Sequence, residues 1–209
     1  MQELLLVRHG ESGHHVKGFT GGWTNSSLTN LGRKQASLTG HRLRIITSGK
    51  SLAFYSSDLK RAVETAQIIG SILGITPFPE KRLRELNWGI AMDMPLEEAN
   101  KLELEKTEPL IDWVPFPKAE SRRMLYQRIS TILSEISAKE DGTVLIVSHG
   151  NAMQESIFWW LNLPINFHST ISFDIDLCSI TQLRVNEWGE RTIALLNSSD
   201  HLLPLASDI

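Results

Sequence analysis

Three short polar segments of the chain each follow directly on an apolar run. They are Arg8-His9-Gly10, Ser57-Asp58 with Arg61 close behind, and His149-Gly150-Asn151. Arginine suits a phosphate, because its planar guanidinium donates two parallel hydrogen bonds to two oxygens. Two such groups could balance the roughly 1.5 to 2 negative charges of a phosphomonoester near neutral pH. A neutral imidazole beside them could attack phosphorus and form a covalent intermediate that water later hydrolyses.

The leaving alcohol of such a reaction needs a proton, and Glu85 in Leu83-Arg84-Glu85-Leu86 is the candidate donor. Negative charge on a bound phosphate favours the protonated form of a neighbouring carboxyl group, as a general acid requires. Glu85 could instead pair with Arg84 or Lys81 at the surface. Phosphoryl transfer depends mainly on positioning and charge neutralisation, so the fold must bring these distant segments together.

The apolar runs before the polar segments predict a buried parallel sheet. Leu4–Val7, Leu52–Ser57 and Val144–Ser148 have the composition of buried strands. In open α/β sheets, ligands bind outside the carboxyl ends of the strands. We therefore expect His9 and His149 to meet at one rim of the sheet, although they lie far apart in the chain.

Apolar residues at helical spacing follow the predicted strands. The pattern predicts a helix capped by Ser57 or Asp58, a second from Ser121, and a third from Gly150 that stops before Pro164. Strands that alternate with helices indicate an α/β fold. We predict three α/β/α layers around a mostly parallel sheet.

The C-terminal part has a different pattern. Ile171–Ile175, Ile180–Val185 and Thr192–Asn197 are predicted strands, with a turn at Glu187–Glu190 between the last two. They would add an antiparallel edge to the sheet. The least regular region is an insertion at about 90–119, for which Pro95–Lys106 is a short helix candidate. A long insertion is either a substrate wall or a surface excursion without a role.

Composition places limits on the class of protein. The chain has 209 residues, of which 41% are hydrophobic and 22% charged, with a net charge of -3. We predict one domain over residues 1–209, since no linker or repeat interrupts it. The charge gives no general attraction to nucleic acid or to an anionic membrane. A single cysteine, Cys178, excludes an intrachain disulfide, and no apolar run approaches membrane-spanning length. The default expectation is a cytoplasmic enzyme.

Taken in order, the motifs resemble those of the histidine phosphatase superfamily, which includes the cofactor-dependent phosphoglycerate mutases. The resemblance covers nearly the whole chain. The matching segments are Leu6-Val7-Arg8-His9-Gly10-Glu11-Ser12, Leu28-Thr29-Asn30-Leu31-Gly32, Ser56-Ser57-Asp58-Leu59-Lys60-Arg61-Ala62, Leu83-Arg84-Glu85-Leu86, Glu120-Ser121 with Arg128, and Ser148-His149-Gly150-Asn151. The C-terminal part of the chain fits the phosphatase branch.

The resemblance implies a role for each matching residue. His9 would be the phosphorylated nucleophile and Glu85 the proton donor and later base. Arg8, Arg61 and His149 would bind the phosphate. No metal and no cofactor would be needed. The further residues expected to contact the substrate are Ser12, His15, Thr20, Gly21 and Asn151.

Three positions depart from the family pattern. His15 stands where the family usually has an asparagine that contacts phosphate. An imidazole can also donate to phosphate, with a different pH dependence. After Gly89 the chain lacks the usual Gly-x-Trp-Glu-Gly continuation, and Lys118-Ala119 replaces a Gly-Gly pair. The substrate-side wall therefore differs from that of common members.

Three functions stay open. The first is a phosphatase for small phosphorylated metabolites. The second is a phosphoglycerate mutase, which the insertion disfavours because mutases tend to have a larger, basic one. Here it is short and acidic, with Glu97, Glu98, Glu103, Glu105, Glu108 and Asp112. The third is a binding module without turnover, supported only by His15 and the altered segment after Gly89.

The partner of the protein is expected to be a small phosphorylated metabolite. Its alcohol moiety would be partly apolar if Trp23, Trp88, Met92 and Trp113 line the pocket. A homodimer is also open, since either an edge strand or the helix that carries Trp159-Trp160 could support one.

Overall fold

The computed structural model describes residues 1–206, and among these six strands form one sheet in the order β3-β2-β4-β1-β5-β6. The strands are β1 (Glu3–Arg8), β2 (Leu52–Ser56), β3 (Phe78–Pro79), β4 (Thr143–Ser148), β5 (Ile180–Val185) and β6 (Arg191–Ser198). β1, β2, β3 and β4 pair in parallel, whereas β5 is antiparallel to both β1 and β6. The predicted parallel sheet with an antiparallel C-terminal edge is confirmed.

The helices connect the strands and cover the sheet. They are α1 (Gly13–Val16), α2 (Asn30–Ile46), α3 (Lys60–Leu73), α4 (Leu96–Asn100), α5 (Arg122–Lys139), α6 (Gly150–Leu161) and α7 (Leu203–Ala206). Short 3-10 turns lie at Lys81–Leu83, Gly89–Ala91, Leu110–Asp112, Ile165–Ser169 and Asp200–Leu202. Within residues 1–206, no helix combines the length and apolar character needed to cross a membrane.

Successive side chains of the central strands point to opposite faces of the sheet, and this divides the core into two layers. Leu4 and Leu6 of β1 face α5 and α6, where they pack with Ile129 and Ile157. Leu5 and Val7 point the other way and pack with α2 and α3. The three predicted layers follow from this alternation. That residues 1–209 form a single domain stays a prediction, and its last three residues, 207–209, lie outside the described part.

One long helix was not predicted from the sequence. The buried face of α2 consists mostly of Gly32, Ala36, Thr39 and Gly40, with Leu43 as its one large apolar residue, so few large apolar residues mark this helix in the sequence. Gly40 lets α2 approach α3 closely, because a Cβ there would lie 2.7 Å from Cδ1 of Ile72. Close packing of small residues, together with the burial of Leu43 among residues of β1 and α3, holds this helix in place.

Three local predictions were wrong. Ile171–Ile175 has alternating burial but forms no strand, and its last residue, Ile175, accepts a hydrogen bond from the Arg8 side chain at its backbone oxygen. The helix predicted over Pro95–Lys106 is limited to α4. The N-cap of α3 is Leu59, not Ser57 or Asp58, although Ser57 Oγ does accept the Leu59 N–H at 3.3 Å.

Candidate active site

Adjacent parallel strands bring the two histidines together at one rim. Arg8 at the end of β1 is in register with Ser148 at the end of β4, and His9 N–H donates to Ser148 O at 3.0 Å. The next residue on each strand is therefore a histidine. The ring centroids of His9 and His149 lie 5.0 Å apart, and both rings are buried.

Two hydrogen bonds define the protonation of His9. Arg61 Nε donates to His9 Nε2 at 3.0 Å, and His9 Nδ1 lies 2.8 Å from Gly10 O. Because a guanidinium can only donate, Nε2 must accept and Nδ1 must carry the proton. Burial, together with the charges of Arg61 and Arg8, holds the pKa of His9 well below its usual value. His9 is thus a neutral imidazole with its lone pair on Nε2.

Arg61, in the first turn of α3, is almost completely buried and has neutral hydrogen-bond partners. Besides His9, it donates to Thr24 O at 2.6 Å and to Gly22 O at 2.8 Å. Burial lowers its pKa to about 10, and the charge of Glu85 opposes that shift. A buried cation hydrogen-bonded only to neutral groups favours an anion beside it.

Arg8 contributes a second cation at the same rim. Its Nη1 donates to Ile175 O at 2.6 Å, while its buried Nε has no hydrogen-bond partner among the residues that the structure describes. Burial lowers the pKa of Arg8, and Glu85 and Asp176 oppose this shift. Arg8 and Glu85 line a polar cavity of about 450 Å³, which we call the polar cavity. It also includes Gly150, Asn151, Gln154, Phe173, Asp174, Ile175, Asp176 and Asn197.

His149 is the N-cap of α6 and is held by a residue that sequence reasoning did not assign to the site. Its Nε2 lies 2.8 Å from Ser57 Oγ, at the end of β2. Its Nδ1 is buried without a protein partner within residues 1–206. Burial and the charges of Arg61 and Arg8 hold the pKa of His149 well below its usual value. The position of Ser57 at a predicted strand end was the signal that could have found it.

Glu85 follows the 3-10 turn at Lys81–Leu83, and backbone groups hold its carboxylate. Oε1 accepts the Leu86 N–H at 2.7 Å, and Oε2 accepts the Asn151 N–H at 3.3 Å. Asn151 lies in the first turn of α6, so the carboxylate is linked to the helix that His149 begins. Glu85 and Arg8 thus line the same cavity.

The backbone around Glu85 is held by a pair of residues that we call the Arg128–Glu120 brace. Arg128 donates to Arg82 O at 2.8 Å, to Arg84 O at 2.9 Å and to Glu85 O at 3.0 Å. Its remaining donors bind both oxygens of the Glu120 carboxylate at 2.9 and 2.7 Å. From the sequence, Glu120 and Arg128 are recognised only as a segment that matches the family, and this contact is not predicted.

His15 lies in α1, against the nucleophile. Its ring stacks on that of His9 with centroids 5.5 Å apart and planes 20° apart. Its Nδ1 accepts the Ser12 N–H at 3.2 Å, which leaves the proton of a neutral ring on Nε2. Burial, with Arg8 and Arg61, lowers the pKa of His15 to about 4. Ser12 is buried beneath it, with Oγ 3.0 Å from His14 Nδ1.

Two other predicted substrate contacts lie on the loop before α2. The Thr20 hydroxyl donates to Ala91 O at 2.5 Å and accepts the Met94 N–H at 3.1 Å. It therefore joins this loop to the insertion, and its role as a substrate contact stays a prediction. Gly21 faces His14, since a Cβ at this position would lie 3.1 Å from His14 Nε2.

A comparison with known protein families assigns the chain to a superfamily. A family model described as the histidine phosphatase superfamily (branch 1) matches residues 4–199. The chain belongs to this superfamily. The resemblance read from the motifs is thereby confirmed.

The relatives in sequence are named as phosphoglycerate mutases, whereas similar solved structures include phosphatases. The chain is 32% identical over 187 residues to a probable phosphoglycerate mutase GpmB of Erwinia tasmaniensis. The aligned residues cover 88% of this chain and 85% of that protein. A mycobacterial glucosyl-3-phosphoglycerate phosphatase shares the fold with a TM-score of 0.78 at 23% identity, over 95% of this chain and 100% of that one. A phosphoserine phosphatase of Entamoeba histolytica, in complex with phosphoserine, has a TM-score of 0.77 at 25% identity, over 97% and 100%.

Proposed function

We propose that this member of the superfamily is a metal-independent phosphomonoester hydrolase that acts on small phosphorylated metabolites through a phosphohistidine at His9. The observation that carries the proposal is the hydrogen bond from Arg61 Nε to His9 Nε2. It defines which nitrogen holds the lone pair, and it places that lone pair beside a buried guanidinium. The nucleophilic nitrogen and a cation that can bind phosphate are thus direct neighbours.

In the first step, the Arg61 Nε–H turns from His9 Nε2 to a phosphoryl oxygen, the freed Nε2 lone pair attacks phosphorus, and the ester P–O bond breaks. Arg61 and Arg8 donate to the phosphoryl oxygens, and His149 Nδ1 supplies a further contact. The leaving alkoxide takes the proton of the Glu85 carboxyl group and departs as an alcohol. The products of this step are a phosphohistidine and a Glu85 carboxylate.

In the second step, the Glu85 carboxylate accepts a proton from water as the water oxygen attacks phosphorus. The P–N bond breaks, and its electron pair returns to His9 Nε2. Inorganic phosphate leaves, and Glu85 is again protonated. The hydrogen bonds from Leu86 and Asn151 keep the carboxylate in place for both roles.

A phosphoglycerate mutase is the second candidate, since the curated relative from Erwinia tasmaniensis bears that name. The mutase would return the phosphoryl group to a second hydroxyl instead of to water. The acidic insertion argues against it, because a phosphoglycerate brings both a phosphate and a carboxylate. Interconversion of 2- and 3-phosphoglycerate without net phosphate release would favour the mutase over the hydrolase.

The test is release of p-nitrophenol from p-nitrophenyl phosphate in excess chelator, with wild type, His9→Ala and His41→Ala. His41 is an exposed histidine of α2 and serves as the matched control. We expect wild type and His41→Ala to hydrolyse the ester and His9→Ala to be inactive. Activity that needs a metal, or that survives in His9→Ala, would contradict the proposal. Binding of phosphate esters without turnover of any ester would favour the binding module.

A further inference from the structure

A second cavity, of about 320 Å³, lies beside the polar cavity and differs from it in composition. We call it the apolar cavity. Its walls are mainly the side chains of Leu86, Trp88, Leu110, Trp113, Pro115 and Phe116. Pockets of roughly 300 Å³ and above hold small organic ligands, and apolar walls favour apolar groups.

The apolar cavity is lined by the two residues that bind the carboxylate of the proposed proton donor, Glu85. Leu86 and Asn151, whose backbone N–H groups bind the Glu85 carboxylate at 2.7 and 3.3 Å, both line it. Asn151 also lines the polar cavity, together with Arg8. Since Glu85 protonates the leaving oxygen, the group attached to that oxygen lies next to this carboxylate, where the two cavities adjoin.

The aromatic walls are held in place by packing. Trp88 stacks on Phe116 with ring centroids 5.5 Å apart, and Phe116 is buried in a small cluster with Ala91 and Ala99. Trp113 Nε1 donates to Leu104 O at 3.3 Å, so its polar atom is already bonded. Trp23, a third candidate for the pocket wall, instead donates to Glu85 O at 2.7 Å.

The inner charged groups of this cavity already have partners. Glu120 belongs to the Arg128–Glu120 brace, and Arg122 pairs with the fully buried Glu155 at 2.8 Å. The two other charged residues, Glu103 and Lys106, have opposite signs and are exposed at the rim. The inner wall therefore has no surplus positive charge to offer a carboxylate or a second phosphate.

We propose that the apolar cavity binds the alcohol moiety of the substrate, and that this moiety is an uncharged, mainly apolar alkyl or aryl group. The inference rests on the proposed function, because Glu85 must be the group that faces the leaving oxygen. Substrates with a carboxylate beside the ester carbon would have to lose its hydration among the aromatic walls.

Binding of n-alkylphosphonates, which cannot be hydrolysed, tests this site separately from turnover. We expect the dissociation constant, measured by calorimetry, to fall about fourfold per added methylene from ethyl to hexyl, until the cavity is full. His9→Ala should show the same trend, since it leaves this cavity unchanged. 3-Phosphonopropanoate should bind at least about tenfold more weakly than n-propylphosphonate.

Two variants of the cavity wall and one control variant test whether the dependence of affinity on chain length arises in the apolar cavity. Trp113→Ala and Leu110→Ser should flatten the dependence on chain length and leave the affinity for methylphosphonate unchanged. Leu110 is 38% exposed, so its replacement threatens the fold less than that of a buried residue. Trp188, which is 77% exposed on the β5–β6 turn, gives the control Trp188→Ala.

Different results would overturn the proposed apolar site and the proposed hydrolase activity. An affinity independent of chain length in wild type, or preference for 3-phosphonopropanoate, would overturn the apolar site even if esters are hydrolysed through His9. A normal dependence on chain length, without phosphate release from any alkyl ester, would overturn the hydrolase and retain the site.

Discussion

The rim of the sheet and the insertion at 90–119 are built on different principles. At the rim, His9 and His149 follow paired strands, and buried hydrogen bonds hold their rings and the Arg61 guanidinium. The insertion forms one short helix and 3-10 turns, and ring stacking and alanine-rich packing stabilise it. The difference suggests that the rim carries out the reaction and the insertion selects the alcohol.

Glu85 stands where the two regions meet. Its carboxylate is bonded to α6 of the rim, while the Arg128–Glu120 brace holds its backbone beside the start of the insertion. Variants of the rim should therefore affect every ester. Variants at the junction should affect esters according to how much their leaving group needs a proton.

The largest effect is expected at Arg61. Arg61→Lys keeps a cation, but it replaces the three nitrogens that donate to His9, Gly22 and Thr24 by a single nitrogen that cannot reach all three. We therefore expect kcat/KM to fall by about 10³-fold for all esters. Arg123→Lys is the matched control, because that arginine is exposed and pairs with Asp112 on the surface. Equal activity of Arg61→Lys and wild type would refute the role of the rim.

Glu85→Gln should come next, with a loss that depends on the leaving group. Without the acid, kcat for an alkyl phosphate should fall by about 10²- to 10⁴-fold, and p-nitrophenyl phosphate should lose at least about tenfold less. Glu97→Gln, on the exposed face of α4, is the control. The same loss for both esters would argue against Glu85 as the proton donor.

Arg128→Gln tests the brace as a positioning device. It should lower kcat for alkyl esters by about 10- to 100-fold, because a small displacement of the Glu85 carboxylate suffices for such a loss. Arg128→Lys should restore part of the rate. KM should change less than kcat, and p-nitrophenyl phosphate should again be affected less. A uniform loss that follows thermal stability would indicate a merely structural role.

The smallest effect concerns stability at acid pH. Burial first, then neighbouring cations, lowers the pKa of His15 from 6.5 to about 4, so below pH 6.5 the unfolded chain takes up a proton that the folded chain does not. The free energy of unfolding must therefore fall as the pH decreases from 6.5 toward 4. With allowance for partial exposure, His15→Asn should remove about 1 kcal/mol of that fall, measured by urea denaturation at neutral pH and at about pH 5. Identical pH dependence in both proteins would contradict the half-buried, neutral state of His15.

The sequence was sufficient to predict every strand of the described sheet except the two-residue β3, and the residues at the ends of β1, β2 and β4. Apolar runs indicate buried parallel strands, and the rim rule for such sheets then brings His9, His149, Arg8 and Arg61 together. Their catalytic roles stay predictions. The prediction of a strand at Ile171–Ile175 was wrong because apolar and polar residues also alternate in segments that pair with no strand. Here the Arg8 side chain binds the backbone oxygen of Ile175.

The rest depended on contacts that leave no periodic signal. α2 was missed because small residues such as Gly32 and Ala36 make up much of its buried face, and Leu43 is the one large apolar residue there. Ser57 and Arg128 act through single side-chain hydrogen bonds to distant segments, and only tertiary structure shows which segments these are. The walls of the apolar cavity likewise come from an irregular segment whose path the pattern could not predict.

The most direct test of the central claim is to trap the phosphorylated protein. Wild type and His9→Ala would be quenched during turnover of a radiolabelled phosphate ester, and the modified residue mapped by mass spectrometry. The account predicts an acid-labile, base-stable adduct on His9 that forms and decays as fast as phosphate is released, and no adduct in His9→Ala. Phosphate release without any adduct, or an adduct on another residue such as His149, would contradict it.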